Sequence, residues 1–195
     1  MYKAMHHLPL VYLSGLVKLL PIQSFRVVGQ EMVINVAKEH LLFVLTFLHH
    51  HTNAGFQILT CISGVDYPER EERFEVVYEI LSVRYRVRLR LKVQTSETNS
   101  LFSIVSLFPC ANWWEREIWD LFGIFFYTHP DLRRILTDYG FEGHPLRKDF
   151  PLSGYSELRY DEDQRMVVCE PIELSQEFRA FSYTPSWSNK TSLGL

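Results

Sequence analysis

Cysteine is scarce in this sequence, and the few cysteines are far apart. Only three of the 195 residues are cysteine, namely Cys61, Cys110 and Cys169, and no two of them form a CxxC pair. Structural zinc sites and iron–sulfur clusters are held by clustered thiolates, and a disulfide framework needs paired cysteines. We therefore expect a chain from a reducing compartment that holds no metal or cluster by itself.

Long apolar runs and an excess of basic charge are also missing. The apolar run Leu41–Leu48 is short and contains Thr46, whereas a membrane span needs about 20 apolar residues. The 20 Lys and Arg residues stand against 23 Asp and Glu residues, which gives a net charge of −3. Nucleic-acid-binding proteins usually carry a strongly basic face. We expect neither a membrane span nor a nucleic-acid partner.

The common catalytic and metal-binding motifs are absent too. The sequence has no HExxH, no GxSxG and no phosphate-binding loop, so zinc-protease, serine-hydrolase and nucleotide-hydrolysis chemistry is unsupported. His49, His50 and His51 are consecutive, and consecutive side chains on a helix diverge by about 100°. These histidines are therefore not expected to chelate one ion together.

What the sequence does contain is a regular alternation of strand and helix patterns. Period-two and helical spacing of the apolar residues predict elements in this order: helix 8–20, hairpin 25–28 and 32–36, helix 38–51, strands 56–67, 74–80 and 85–93, short helix 100–108, and helix 112–123. The pattern indicates an α+β fold, with helices packed on a mixed, mainly antiparallel sheet. The helix over 38–51 is apolar in almost every direction, which predicts complete burial.

The strand over 85–93 alternates apolar residues with cations, which are Arg84, Arg86, Arg88, Arg90 and Lys92. Because strand side chains alternate between faces, these cations are expected on one face. Glu75 and Glu79 of the preceding strand would lie beside them in an antiparallel pair. Two interpretations remain open: a salt-bridged outer sheet face, or a basic patch that docks an acidic partner.

The character of the sequence changes after Thr137. Glycine and proline interrupt the chain every few residues, with aromatic and charged residues between them. We predict an α/β core domain over residues 1–136 and an extended C-terminal arm over 137–195. The arm is too aromatic for a free tail, so its rings are expected to pack on a partner.

The helix over 112–123 concentrates the charged residues that could matter. Asn112 and Glu115 have the spacing of a capping box, and Gly123 is a suitable terminator. Glu115 falls within the apolar arc of this helix, and a buried carboxylate needs a partner. Arg133 or Arg134 is the expected partner. An alternative is a free-standing hydrolase that uses the Glu115, Glu117 and Asp120 carboxylates.

Motifs in the second half of the chain resemble one known family. The series Glu115-Arg116-Glu117, Asp120-Leu121-Phe122, His129 and Arg133, and the continuous run from His129 to Tyr155, carry this resemblance. They resemble the small hydrophilic core subunit of respiratory complex I, the NADH:ubiquinone oxidoreductase, of the mitochondrially encoded subunit 9 type.

The resemblance implies a non-catalytic subunit of the peripheral arm that holds the quinone-site core subunit in place. Catalytic, cofactor-binding and metal-binding residues are not expected in this chain, because NADH, FMN, iron–sulfur clusters and ubiquinone would belong to other subunits. The implied location is the matrix side of the mitochondrial inner membrane, or alternatively the cytoplasmic face of a bacterial inner membrane. The signature residues, expected to be structural or interfacial, are Glu115, Arg116, Glu117, Asp120, His129, Arg133, Arg134, Arg147 and Asp149.

Overall fold

The computed structural model describes residues 15–28, 31–179 and 181. The chain forms two compact units, of which the first ends at Leu152 and the second begins at Ser153. The first unit thus includes residues 137–152, which the sequence pattern assigns to the arm. Most of the predicted helix 8–20 and the turn at 29–30 lie outside the described residues, although residues 15–19 are helical.

The first unit is built on a five-stranded sheet. Its strands are β1 (Ile22–Val28), β2 (Glu31–Val36), β3 (Ile58–Asp66), β4 (Phe74–Ser82) and β5 (Val87–Thr95). Their spatial order is β1-β2-β5-β4-β3, and only the β2–β5 pair is parallel. The predicted α+β class with a mixed, mainly antiparallel sheet is confirmed.

Besides the helical residues 15–19, the described part of this unit contains two longer helices and a small second sheet. Helix α1 (Leu41–His50) follows a 3₁₀ turn (Lys38–His40), and α2 is Ala111–Phe122. Strands β6 (Leu101–Phe102) and β7 (Phe126–Tyr127) pair in parallel. The predicted short helix over 100–108 is wrong, because Leu101 and Ser103 donate backbone hydrogen bonds to Phe125 and Tyr127.

The core lies between one face of the large sheet and the helices. The period-two apolar residues of β4 are buried, as are Leu89, Leu91 and Val93 of β5 and four apolar residues of α1. Each such side chain contributes roughly 1.5–3 kcal/mol on burial. Phe43, however, is 59% exposed, so the prediction that α1 is buried all round is wrong for this chain alone.

The opposite face of the sheet carries the predicted charge pairs, but only in part. Arg90 bonds to Glu79 across the β4–β5 pair and to Glu31 at 3.0 Å, and Lys92 bonds to Glu75. Arg84 and Arg86 lie in the turn before β5 rather than on the strand. The prediction that all five cations share a strand face is therefore wrong for these two, since the strand starts only at Val87.

Close packing of α2 on β3 gives a first testable prediction. A Cβ atom added at Gly64 would lie 2.8 Å from the Phe122 ring, so Gly64→Ala must displace this helix. We expect a loss of about 1–3 kcal/mol in the free energy of unfolding, measured by denaturant unfolding of the purified chain. Gly15→Ala is the control, because nothing lies within 4 Å of the added Cβ there. Equal stability of both variants would contradict the packing.

Candidate functional site

Most of the signature residues meet where α2 ends and the following segment crosses it. Helix α2 begins after Cys110 without a side-chain cap, so the predicted capping box of Asn112 and Glu115 is not formed. It ends at Gly123, whose φ of 77° lies in the left-handed region, as predicted. Glycine adopts this conformation at little cost.

Asp120 is the most highly connected residue of the site. Its Oδ2 atom accepts hydrogen bonds from the backbone N–H groups of residues 135, 136 and 137, at 3.1, 2.8 and 2.9 Å. Its Oδ1 atom accepts bonds from Thr137 Oγ1 at 2.7 Å and from Arg134 Nη1 at 3.0 Å. The side chain is fully buried, so these five donors replace the water it gives up.

The donors around Asp120 keep its carboxylate ionised. Burial alone would raise the pKa, but the hydrogen bonds from Thr137, Leu136 and Ile135 outweigh it and lower the pKa of Asp120 to about 2. A carboxylate that accepts several N–H bonds is stabilised in its charged form. At neutral pH the site is therefore a buried anion that fixes the backbone over residues 135–137.

Arginine and histidine side chains hold the same segment against α2. Arg116 donates to the carbonyl groups of Arg133 and Arg134 at 3.2 and 3.3 Å. Arg134 also donates to the Gly143 carbonyl at 2.9 Å. His144 Nδ1 lies 2.9 Å from the Asp120 carbonyl oxygen. The chain from Arg133 to His144 is thereby fastened along one side of the helix.

Arg147 and Asp149 extend this attachment to the large sheet. Arg147 Nε donates to the Phe122 carbonyl at 2.7 Å. Arg73 donates to Asp66 at 2.6 and 2.8 Å and to Asp149 at 2.6 Å. Asp66 also accepts the Lys148 N–H at 2.8 Å. Bidentate arginine–carboxylate pairs of this kind combine strength with fixed geometry.

Glu115 occupies a different environment on the same helix. It is fully buried and accepts hydrogen bonds from Ser103 Oγ at 2.6 Å and from the Ile104 N–H at 2.8 Å. Arg134 instead pairs with Asp120, and Arg133 pairs with Asp131. The predicted Glu115–arginine pair is therefore wrong, and no arginine contacts this carboxyl group within the described residues.

With only neutral donors, Glu115 does not ionise readily. Burial outweighs the two hydrogen bonds and raises the pKa of Glu115 to about 7. His129 Nε2 lies 3.9 Å from its Oε2 and 3.2 Å from the Asn112 carbonyl oxygen. Because His129 Nδ1 accepts the Asp131 N–H, Nε2 carries the proton and donates to Asn112. Both ring nitrogens are therefore engaged elsewhere, and neither accepts a hydrogen bond from the Glu115 carboxyl group.

The structure does not bring the three candidate catalytic carboxylates together. Glu115 bonds to residues that follow β6, whereas Asp120 bonds to residues 134–137. Glu117 is half-buried, and it has no ion pair in the part of the chain that is described. A pair of carboxylates must flank a bond to act as acid and base. The hydrolase alternative is therefore unsupported.

Sequence reasoning missed several residues of this site. Ser103 and Thr137 supply hydroxyl donors, and Arg73 links the sheet to Asp149. Their partners lie 12, 17 and 76 residues away in the sequence. Ordinary Ser, Thr and Arg residues at these distances give no local signal, because helix and strand periodicity reports burial and not contact.

Comparisons with known proteins identify the family. The family model described as "Respiratory-chain NADH dehydrogenase, 30 Kd subunit" matches residues 34–156. This range includes every signature residue named above. The chain belongs to this family. It is a subunit of NADH:ubiquinone oxidoreductase, complex I, in its peripheral arm, and the family resemblance seen in the sequence is confirmed.

Named relatives agree with this assignment. The chain is 59% identical over 152 residues to "NADH dehydrogenase [ubiquinone] iron-sulfur protein 3" of Beta trigyna, covering 78% of this chain and 79% of that relative. It is 53% identical over 157 residues to "NADH-ubiquinone oxidoreductase subunit 9" of Reclinomonas americana, covering 80% and 77%. These identities extend across most of both chains.

A solved structure shows the same fold in a more distant protein. A chain of the membrane-bound sulfane sulfur reductase, an archaeal respiratory membrane complex, superposes with a TM-score of 0.62 at 22% identity. The match covers 73% of this chain and 84% of that chain. At this identity the likeness shows the fold alone.

The side chains of the described residues do not fit an iron–sulfur cluster, although the Beta relative is named an iron–sulfur protein. Such a cluster takes four ligands, which are usually cysteine thiolates. The three cysteines lie on β3, immediately before α2 and in the second unit. Within the described residues, no group of three or more His, Cys, Asp or Glu side chains could hold a metal ion. The helices described there also include none long and apolar enough to cross a membrane.

Replacement of Asp120 tests the buried anion. Its lowered pKa means that Asp120 stabilises the native state above pH 4, and this contribution is lost as the pH falls toward 2. We expect Asp120→Asn to lose about 2 kcal/mol at pH 7, with the difference from wild type shrinking below pH 4. Denaturant unfolding across pH measures this. Asp138→Asn, at an exposed position, is the control, and a pH-independent difference would contradict the prediction.

Glu115 should show the opposite pH dependence. As the pH rises from 4.5 to 7, the unfolded chain releases this proton while the native chain keeps it, so native stability falls. Glu115→Gln has no proton to lose in this range. We therefore expect the free energy of unfolding of the variant, relative to wild type, to rise by a few kcal/mol from pH 5 to pH 8. Denaturant unfolding at both pH values measures the gain, with Glu117→Gln as control. Parallel pH profiles would show that Glu115 is already ionised.

Proposed function

We propose that this chain is a non-catalytic scaffold subunit, whose C-terminal arm holds the quinone-site core subunit within the peripheral arm of complex I. Membership of the 30-kDa subunit family supports a place in that assembly. The dispersed carboxylates support a role in holding subunits together rather than in chemistry. Relatives from a plant and a protist favour the matrix side of the mitochondrial inner membrane over a bacterial membrane.

The second unit carries the observation on which the partner-binding role depends. Strands β8 (Ser156–Asp161) and β9 (Met166–Pro171) form an antiparallel hairpin. Leu158 pairs with Cys169 and Tyr160 pairs with Val167, so these four side chains share one face. An isolated two-stranded hairpin is marginally stable in water, which favours a hairpin that packs on another protein.

The two faces of this hairpin differ sharply. On the apolar face, Leu158, Tyr160 and Val167 are 59%, 58% and 59% exposed. On the other face, Arg159 bonds to Glu170 at 2.6 and 3.1 Å. That face also carries Glu157, Val168 and Met166, so its Arg159–Glu170 pair is satisfied within the hairpin, whereas the first face presents exposed apolar side chains. Contiguous exposed apolar side chains of this kind mark protein interfaces.

The first unit supports this proposal by fixing where the arm starts. Asp120, Arg134 and Arg147 fasten residues 134–149 to α2, and Arg73 fastens Asp149 to the sheet. A rigid start lowers the entropy lost when the arm binds. We propose that the signature residues act in this structural way, and that the arm beyond them makes the contact.

Substitution on the two hairpin faces tests the proposal. We expect Leu158→Ser with Tyr160→Ser to reduce the amount of the chain that co-purifies with the quinone-site subunit by at least about tenfold, because a buried apolar side chain contributes roughly 1.5–3 kcal/mol. Glu157→Ser, on the same strand and the opposite face, should leave it unchanged. Native membranes and a tagged chain provide the measurement. Full assembly of the double variant would exclude the apolar face as the contact.

A further inference from the structure

A group of unpaired arginines lies at the turn between β4 and β5. We define the basic tip as the turn residues Val83–Arg86 together with Arg88, which is the second residue of β5. Arg84, Arg86 and Arg88 are exposed, and within the described residues none of them has an ion pair. This distinguishes them from Arg90 and Lys92 on the same strand, which are paired with glutamates.

One hydrogen bond, one ring contact and one unusual backbone angle define the basic tip. Tyr85 Oη donates to the Thr52 carbonyl oxygen at 2.9 Å, and the Arg84 guanidinium lies 5.4 Å from the Tyr85 ring centroid. Arg86 has a φ of 53°, in the left-handed region that residues other than glycine disfavour. Glycine or asparagine would fit this position more easily. The chain thus retains an arginine where the backbone disfavours one.

Three long stretches of the chain around the basic tip contain no acidic residue. Asp and Glu are absent from residues 40–65, 80–96 and 98–114. The first stretch contacts the tip through Thr52, and the third packs on the first through His49 and Phe108, whose rings are 5.2 Å apart. In a chain with a net charge of −3, positive charge is therefore concentrated at this end of the sheet.

The acidic residues on the adjoining strands are already engaged. Glu79 of β4 and Glu31 of β2 both bond to Arg90. Glu75 bonds to Lys92 and Arg70. The three tip arginines therefore have donor capacity that the described part of the chain does not use. Arginine is enriched in protein interfaces and binds carboxylates in a bidentate manner.

We propose that the basic tip binds an acidic segment of a neighbouring subunit in the assembled complex. This inference rests on the proposed scaffold function and adds a second contact, separate from the hairpin. Arg84, Arg86 and Arg88 lie within five residues of one another in the sequence, so the segment presents at least two carboxylates close together. Val83 and Tyr85, 61% and 43% exposed, provide apolar contact between the charges.

Replacement of the arginines by lysine gives a direct test in the intact complex. The variant R84K/R86K/R88K keeps the charge and supplies amines, which a carbodiimide joins to any carboxylate in direct contact. We expect amide cross-links from these positions to Asp or Glu of one other subunit, identified by mass spectrometry. Lys18, exposed on the helical residues 15–19, is the internal control and should not link to that segment. Cross-links only within this chain, or none, would overturn the proposal.

Charge reversal supplies an independent measurement. R84E/R86E/R88E should raise the rate at which the chain leaves the purified complex by at least tenfold at low salt, with less effect at high salt because screening weakens the contact. Lys18→Glu should not change the rate. An unchanged rate would overturn the proposal. So would a result in which R84E/R86E/R88E loses binding to anionic vesicles while R84K/R86K/R88K forms no cross-links to protein. Co-purification of the wild-type chain tests the scaffold function separately.

Discussion

The first unit depends on one buried anion at the end of α2. Asp120 stands in the last turn of the helix, where the helix dipole disfavours negative charge, and it is withdrawn from water. Three backbone N–H groups, one hydroxyl and one guanidinium compensate for both effects. Those donors all come from residues 134–137. The same five hydrogen bonds therefore keep the carboxylate ionised and hold that segment against the helix.

The two buried carboxyl groups of α2 differ in the number of their donors and in the depth of their burial. Asp120 has five donors and a pKa of about 2, whereas Glu115 has two and a pKa of about 7. Glu115 lies nearer the helix N-terminus, which favours a negative charge, yet burial prevails there. Glu115 therefore joins Ser103 and Ile104 to α2 as a neutral or easily neutralised group, while Asp120 acts as a fixed charge.

The sequence was informative where periodicity and neighbouring residues determine structure. The alternating strands and the Glu79–Arg90 pair follow from period-two spacing, because antiparallel register then places opposite charges side by side. Gly123 was predictable because a helix end favours glycine. The partner of Glu115 was not predictable, because a helical wheel shows that a residue is buried but not which residues it contacts. The same limit explains β6, whose partner strand begins 25 residues later.

The signature residues show the difference between resemblance and derivation. Resemblance singled out Arg134, Arg147 and Asp149. Their contacts with Asp120, Phe122 and Arg73 form only in three dimensions, so the sequence alone did not reveal them. The first unit satisfies most of its buried charge internally. The hairpin of the second unit pairs Arg159 with Glu170 on one face and exposes Leu158, Tyr160 and Val167 on the other. The hairpin and the basic tip therefore share one property. Local structure is formed in both, while apolar side chains of the hairpin and arginines of the tip remain exposed.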